Sequence, residues 1–543
     1  MPNGIFKINK PMNEPELTYA PGSQERDELK KHLARLGKSE VEIPLVIGSR
    51  KIYTGRTAKC VIPHRKDCII GTFHMAGENE VQEAIKAALA ARREWESMPW
   101  EHRAAIFLKA AEIIAGPGRS TLNAGTMLCQ SKTAHQAEID VVCELADMLR
   151  FNTYFMNEIY AEQPISARGS WNRMEYRPLE GFVLAVTPFN FTSIAGNLPT
   201  SAAIAGNVVL WKPASSAVYS SYQVMQVLQE AGLPPGVINF IPGPGNIIGE
   251  GTFSHPWFAG LHFTGSTATF QSMWLSVAKN LPNYRSYPKL VGETGGKDFV
   301  FAHPSAAIEP LVTALVRGAF EFQGQKCSAA SRAYIPCSIW PEVKKRLIEE
   351  VNSIKMGDVE DFTNFMGAVI DAGAYQSIKS YIDYAKQSGQ AEVICGGGCD
   401  DTVGYFVQPT VIVTTNPHFK TMVEEIFGPV LTIYVYPDES LDAALDLCDS
   451  TSIYGLTGAV FAQSRSAIVE LEKRLAHAAG NFYINDRPTG AVIGQQPFGG
   501  ARASGTNDKA GSKLNMLRWV NPRTIKENLN PPIGYRYRFM DES

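Results

Sequence analysis

From Phe182 onward the chain alternates short, wholly apolar runs with longer segments of helical period, and it does so twice. Phe182–Val186, Val208–Trp211, Val237–Ile241 and Gly260–Phe263 read as strands buried on both faces. The segments Ser216–Ala231 and Thr267–Asn280 read as helices between or after them. Such alternation specifies a doubly wound, mostly parallel sheet, with ligands expected outside the carboxyl ends of its strands. After Gly296 the pattern restarts: strands at Phe299–Ala302 and Ala333–Ile335, helices at Ala306–Phe322 and Trp340–Ser353. A chain of 543 residues exceeds one ordinary core, so two α/β domains are expected. The divisions read from the pattern are residues 1–296, 297–504 and an extended arm at 505–543.

Ahead of the first sheet, residues 1–70 read as turn-rich and irregular, apart from a helix over Ser23–Leu36. Val81, Ala84, Ile85, Ala88 and Leu89 then mark one apolar helix face, and further helices are expected over Glu101–Ile114 and about Gln136–Tyr160. The net charge of −3 gives no electrostatic case for nucleic acid or an anionic membrane. No apolar run approaches the roughly 20 residues that span a bilayer. Nine cysteines without regular spacing indicate free thiols in a reducing compartment. Cys395 and Cys399 flank a glycine turn with no second ligand pair, and the ten histidines form no metal-binding motif, so a metal is not expected.

Two residues carry the chemistry. Cys327 lies in Phe-Glu-Phe-Gln-Gly-Gln-Lys-Cys-Ser-Ala, and Glu293 lies 34 residues earlier, just before Gly295-Gly296. A thiol and a carboxylate are the minimum for covalent catalysis through a thioester. Thr187-Pro188-Phe189-Asn190-Phe191 ends one strand, and the Asn190 amide suits a developing oxyanion, although Asn before a turn is also common in purely structural roles. Trp211-Lys212-Pro213 places a cation at the end of another strand. Phe263-Thr264-Gly265-Ser266 opens a helix where phosphate is favoured, and Ser266 serves equally well as an ordinary N-cap. Gly243–Gly249 lacks the dinucleotide spacing.

Thr187–Phe191, Trp211-Lys212-Pro213, Phe263–Ser266, Glu293–Lys297, Gly324–Ser328, Glu424-Glu425-Ile426-Phe427-Gly428-Pro429 and Pro497-Phe498-Gly499-Gly500 occur in the order seen in aldehyde dehydrogenases. The chain resembles that superfamily over nearly its whole length, seven motifs in all. Within it, the narrower resemblance is to the L-glutamate γ-semialdehyde (1-pyrroline-5-carboxylate) dehydrogenase branch. Pro21–Asp27, Leu179–Phe182, Gly480–Asp486 and above all Gly494–Asp508 carry that match.

The resemblance implies an α/β fold with a Rossmann-like cofactor domain and a catalytic domain. It implies NAD-dependent oxidation of the semialdehyde to glutamate, in proline breakdown, with Cys327 as nucleophile, Glu293 as base and Asn190 as oxyanion donor. Lys212 and Glu425 would hold the riboses of NAD and Phe427 would pack near the nicotinamide, with Thr187, Gly265 and Ser266 lining the rest. Phe191, Ser328, Gly490 and Phe498 would surround the substrate. Ala491 stands where a serine follows the glycine in many relatives, which removes one hydroxyl donor to the substrate carboxylate. Relatives that pass the acyl group to coenzyme A lack a carboxylate at the place of Glu293, so hydrolysis is implied. The alternatives are another semialdehyde or a general aldehyde as substrate, and, in a different class, a binding protein that keeps the fold without turnover. A flap near 161–178 and the arm at 505–543 would pair between subunits of a homodimer or higher homo-oligomer. The first residues show neither a secretory core nor a transit pattern, so a bacterial type of cytoplasmic location is expected, with the mitochondrial matrix as the alternative.

Overall fold

The structure, a computed structural model, describes residues 4–541. The first sheet has seven strands: β1 (Leu45–Ile47), β2 (Arg50–Ile52), β3 (Phe182–Val186), β4 (Val208–Lys212), β5 (Ile238–Phe240), β6 (Phe258–Thr264) and β7 (Lys289–Glu293). Their order is β7-β6-β3-β4-β5-β1-β2. The five strands from β7 to β5 are mutually parallel, while β1 and β2 close the edge antiparallel. Parallel strands are covered by helices on both faces, which is why β3, β4 and β6 are apolar almost throughout.

The second sheet begins five residues after β7 ends. It consists of β8 (Asp298–Ala302), β9 (Ala330–Pro336), β10 (Ala391–Cys395), β11 (Thr410–Thr414), β12 (Val430–Tyr436), β13 (Thr457–Phe461) and β14 (Asn481–Ile484). The order is β10-β11-β12-β9-β8-β13-β14, parallel except at β10. Side chains along a strand point alternately to its two faces. On β8, Phe299 and Phe301 accordingly enter one core while Val300 and Ala302 enter the other.

Three expectations differ from the fold. Residues 1–70 are not irregular: beyond the helix Gln24–Leu36, five strands fall between Val41 and His74, and two of them extend the first sheet. Three of them have only three residues each, and in the longest, Arg65–His74, Ile69 and Ile70 are adjacent, so no regular alternation shows. The helix expected over Gln136–Tyr160 is broken at its start by a wider π-turn, Glu138–Glu144, that leads into Leu145–Ala161. The segment expected as an arm from 505 is built into the body as far as Val520, with Met516 and Trp519 in the core. Only then does Val520–Asn528 leave the body, pairing antiparallel with Ser170–Pro178 of the same chain as a two-stranded ribbon. The last two residues of the arm, 542 and 543, lie outside the described residues.

Candidate active site

The carboxyl end of β7 and the amino end of β8 are joined by Thr294-Gly295-Gly296-Lys297, and around this turn the two domains meet. A Cβ on Gly296 would lie 2.1 Å from the Cys327 carbonyl oxygen, and one on Gly295 would lie 2.5 Å from Glu425 Oε2. At Gly296 the obstacle is backbone, so that glycine is required by close approach, whereas a side chain at Gly295 would have to push the Glu425 carboxylate aside. The Gly296 N–H donates to Glu425 Oε1 at 2.8 Å. One turn thus brings Glu293, Cys327 and Glu425 together.

The loop carrying Cys327 follows the helix Ile308–Phe320 and contains three consecutive left-handed residues, Phe322 (φ 51°), Gln323 (φ 57°) and Gly324 (φ 65°). Two of these are not glycine, a strain of about 1–3 kcal/mol each that surrounding contacts must hold. Gln323 supplies them: its side-chain amide donates to Ser131 O (3.0 Å) and Ala368 O (2.7 Å) and accepts from Gly367 N (3.0 Å). Gln325 Oε1 accepts from Ile370 N at 2.9 Å. Asn190 reaches the same loop, its Nδ2 donating to Gln325 O at 3.0 Å.

Two residues after Asn190, the start of the next helix is held by a buried ion pair. Asp140 Oδ2 accepts from Lys132 Nζ at 2.6 Å, and the carboxylate also takes the N–H groups of Thr192 (3.0 Å) and Ser193 (2.8 Å). Those two amides open the helix Thr192–Ile204, where a negative charge is favoured. Lys132 Nζ also lies 4.1 Å from the centre of the Phe191 ring and 4.5 Å from that of Phe322. Glu144, from the π-turn, accepts from Ser193 Oγ at 3.0 Å, and burial with Asp140 nearby pushes its carboxyl up to about 8. Behind Cys327, Lys326 pairs with Glu321 at 3.2 Å, and Arg487 approaches Glu321 at 3.9 Å.

The central groups are all shifted against ionisation. Burial pushes the Cys327 thiol well up, and the carboxylates of Asp298, Glu293 and Glu425 add to it. Burial also raises the Glu293 carboxyl well above its ordinary range; Asp508 adds to this, while the Gly500 N–H and the Lys509 ammonium oppose it. Glu293 Oε2 has no hydrogen-bond partner among the described residues. Such displaced, unpaired groups are typical of sites where protons move.

The sequence-derived cofactor residues lie along the carboxyl edge of the first sheet. The Thr187 N–H donates to Lys212 O at 3.1 Å, and Thr187 Oγ1 accepts from Trp211 Nε1 at 3.1 Å. Burial alone pulls the Lys212 ammonium below its ordinary range, with no carboxylate among the described residues paired to it. Ser266 is the N-cap of Thr267–Lys279, accepting from Thr269 N at 3.3 Å, so the ordinary reading of that residue is realised. A Cβ on Gly265 would lie 2.7 Å from the Phe263 ring. Phe427 holds a left-handed φ of 57° and packs edge-on to Phe189 at 5.7 Å. A lone cation at a strand end, a capped helix start and a carboxylate at the domain boundary fit a dinucleotide lying along this edge.

On the other side of Cys327, Phe498 is pinned by a reciprocal backbone pair with Ala510, 3.0 and 2.7 Å. Gly490, at φ 94°, turns the chain between Thr489 and Ala491. Ser328 Oγ and Thr489 Oγ1 are 2.8 Å apart. Gln323, Asp140, Lys132, Glu144 and Thr489 escaped the sequence reading. The one available signal was the run of acids at Glu138, Asp140, Glu144 and Asp147 in an otherwise apolar helix.

A model described as "Aldehyde dehydrogenase family" matches residues 53–525. The chain is 52% identical over 536 residues to a Dictyostelium discoideum protein named "Delta-1-pyrroline-5-carboxylate dehydrogenase, mitochondrial", covering 98% of this chain and 96% of that one. A human protein of the same name is 48% identical over 532 residues, 98% and 94% of the two chains. The crystal structure of the Mycobacterium tuberculosis Delta-pyrroline-5-carboxylate dehydrogenase bound with NAD superposes with a TM-score of 0.96 at 49% identity, over 99% of this chain and all of that one.

Proposed function

The chain belongs to the aldehyde dehydrogenase family, and on that premise we propose that it oxidises L-glutamate γ-semialdehyde, in equilibrium with 1-pyrroline-5-carboxylate, to L-glutamate with NAD. The observation that carries this reading is that Glu293 and Asn190 both come to the loop that carries Cys327, in a chain about half identical over its full length to relatives of that name.

Cys327 gives its thiol proton to a water and attacks the aldehyde carbon as thiolate, and the oxygen that becomes negative is met by the Asn190 amide and the Cys327 N–H. Loss of one such donor costs about 3–4 kcal/mol of transition-state stabilisation. A free thiol is only a few per cent ionised near neutral pH, and the carboxylates around this one reduce that further. When bound, NAD⁺ would supply the hydride acceptor, and loss of hydride from the former aldehyde carbon leaves the thioester of Cys327. Lys212, Glu425, Phe427, Thr187, Gly265 and Ser266 would hold it. Glu293, freed of its proton, takes one from water as that water attacks the acyl carbon of the Cys327 thioester, and the thiol leaves as glutamate forms. Burial suits Glu293 to this exchange, because a carboxyl raised above its ordinary range is a stronger base once its proton is gone.

On the substrate side, Phe191 and Phe498 would pack on the carbon chain, and Ser328, Gly490 and Ala491 would face the α-carboxylate. The ribbon of Ser170–Pro178 and Val520–Asn528 would join subunits into a homodimer or higher assembly. Free thiols suit a reducing compartment, the bacterial cytoplasm or, following the names of the eukaryotic relatives, the mitochondrial matrix. A steady-state assay with pyrroline-5-carboxylate, succinate semialdehyde and hexanal tests the reading. The first should have the highest kcat/KM with NAD, and Cys327→Ala should abolish NADH formation while NAD still binds. Preference for either other aldehyde, or turnover by the alanine variant, refutes it.

A further inference from the structure

We infer that Thr489 is a positioning residue for substrate choice, holding the Ser328 hydroxyl so that its proton is presented to the α-carboxylate of the bound semialdehyde. This rests on the function proposed above. Ser328 and Thr489 lie 161 residues apart in the chain, Ser328 next to the nucleophile, and their hydroxyls are 2.8 Å apart. Both residues are almost wholly buried, 6% and 5% exposed. Among the described residues neither hydroxyl has another hydrogen-bond partner. Each hydroxyl brings one proton and can accept two. A single bond between them uses one proton and leaves the other without an acceptor, which is unfavourable in a buried place.

The remaining proton therefore has a use only when a ligand brings an acceptor into the cleft. Thr489 is the better donor within the pair, because Ser328 adjoins Cys327 and its proton is the one facing a molecule attached there. With Thr489 donating, Ser328 Oγ is locked as a donor to whatever oxygen arrives, and a carboxylate is the strongest acceptor. Two further features hold the geometry. Gly490 at φ 94° reverses the chain directly after Thr489, and Arg487 and Lys326 approach the same carboxylate, Glu321, from the two loops. Residue 491 is alanine and brings no hydroxyl, so the Ser328–Thr489 pair is the hydroxyl donor of this end of the cleft.

The test compares the unaltered enzyme with Thr489→Val, which keeps the shape and removes the hydroxyl, and with Thr489→Ser. Each is assayed with glutamate semialdehyde and with hexanal, and L-glutamate is titrated as an inhibitor. The valine variant is expected to raise KM for the semialdehyde about tenfold, with kcat nearly unchanged. The inhibition constant of L-glutamate should rise by the same factor, KM for hexanal should not move, and serine should restore both. Unchanged KM in the valine variant, or an equal loss with hexanal, overturns the inference while leaving the proposed function standing. An unaltered enzyme that oxidises hexanal but not the semialdehyde refutes the function, and the inference with it. Thr489→Ala, with less bulk to place, carries the same outcomes if the valine variant does not fold.

Discussion

Glu293 and Cys327 share a cleft whose electrostatics disfavour charge on both, and this makes the order of events readable in pH. The carboxyl of Glu293 is raised by burial, so the folded protein keeps its proton where an unfolded chain has lost it. Its contribution to stability is therefore present at low pH and is lost as pH rises through the raised value. Activity runs the opposite way, because hydrolysis of the thioester needs the carboxylate. The acid limb of kcat should thus lie clearly above the ordinary glutamate value of about 4.3. Glu293→Gln should remove that limb and lower kcat by about 10²–10⁴ while a first, stoichiometric release of NADH survives. A limb at the same pH in the glutamine variant would assign it to another group. Asp508 and Lys509, which face Glu293 with opposite effects, are the next places to look.

The element that matters most is the left-handed run before Cys327. Gly324 combines a φ of 65° with a Cβ position only 2.3 Å from the Gly428 carbonyl oxygen. Alanine there must displace either this loop or the one carrying Glu425 and Phe427, and each holds part of the site. Gly324→Ala should lower the thermal midpoint by several degrees and activity more than tenfold, through a combination of backbone strain and overpacking. Gly389→Ala, where a Cβ meets nothing within 4 Å, serves as the control and should do neither. Equal behaviour of the two variants in a melting and activity comparison would show that the loop yields without cost.

At the scale of the molecule, the ribbon is anchored at Val520 and Tyr176 and runs outward from the core there. Nine residue pairs join Val520–Asn528 to Ser170–Pro178, and two strands alone are marginal in water. Trp171, Ile165 and Leu529 on and beside it are exposed. Exposed edges and apolar side chains of this kind are ordinarily covered. If the ribbon joins subunits as proposed, removing residues 521–543 turns a homo-oligomer into monomers in light scattering, with the body still folded by circular dichroism. An unchanged mass would place the subunit contact elsewhere. No helix among the described residues is long and apolar enough to cross a membrane.

The sequence by itself determined the two parallel sheets, because strands buried on both faces must be apolar throughout and that pattern is local. It also marked Cys327, Glu293, Asn190 and Lys212, since each sits at a strand end or turn within a recognisable short motif. The strands between Val41 and His74 and the π-turn at Glu138 stayed hidden, the first because they are brief or lack alternation and the second because it reads as continuous helix. Only the tertiary structure decided how the marked residues are held. Gln323 grips Ser131 from 192 residues away, Asp140 caps a helix 52 residues later, and Thr489 meets Ser328 across 161. Contacts at such separations leave no periodicity in the chain, because hydrogen bonds are set by where two backbones come to lie. Gly295 and Gly296 show both sides of this. Their presence before the second sheet is visible in the sequence, but the reason, a carbonyl and a carboxylate at 2.1 and 2.5 Å from where their side chains would be, exists only in the folded molecule.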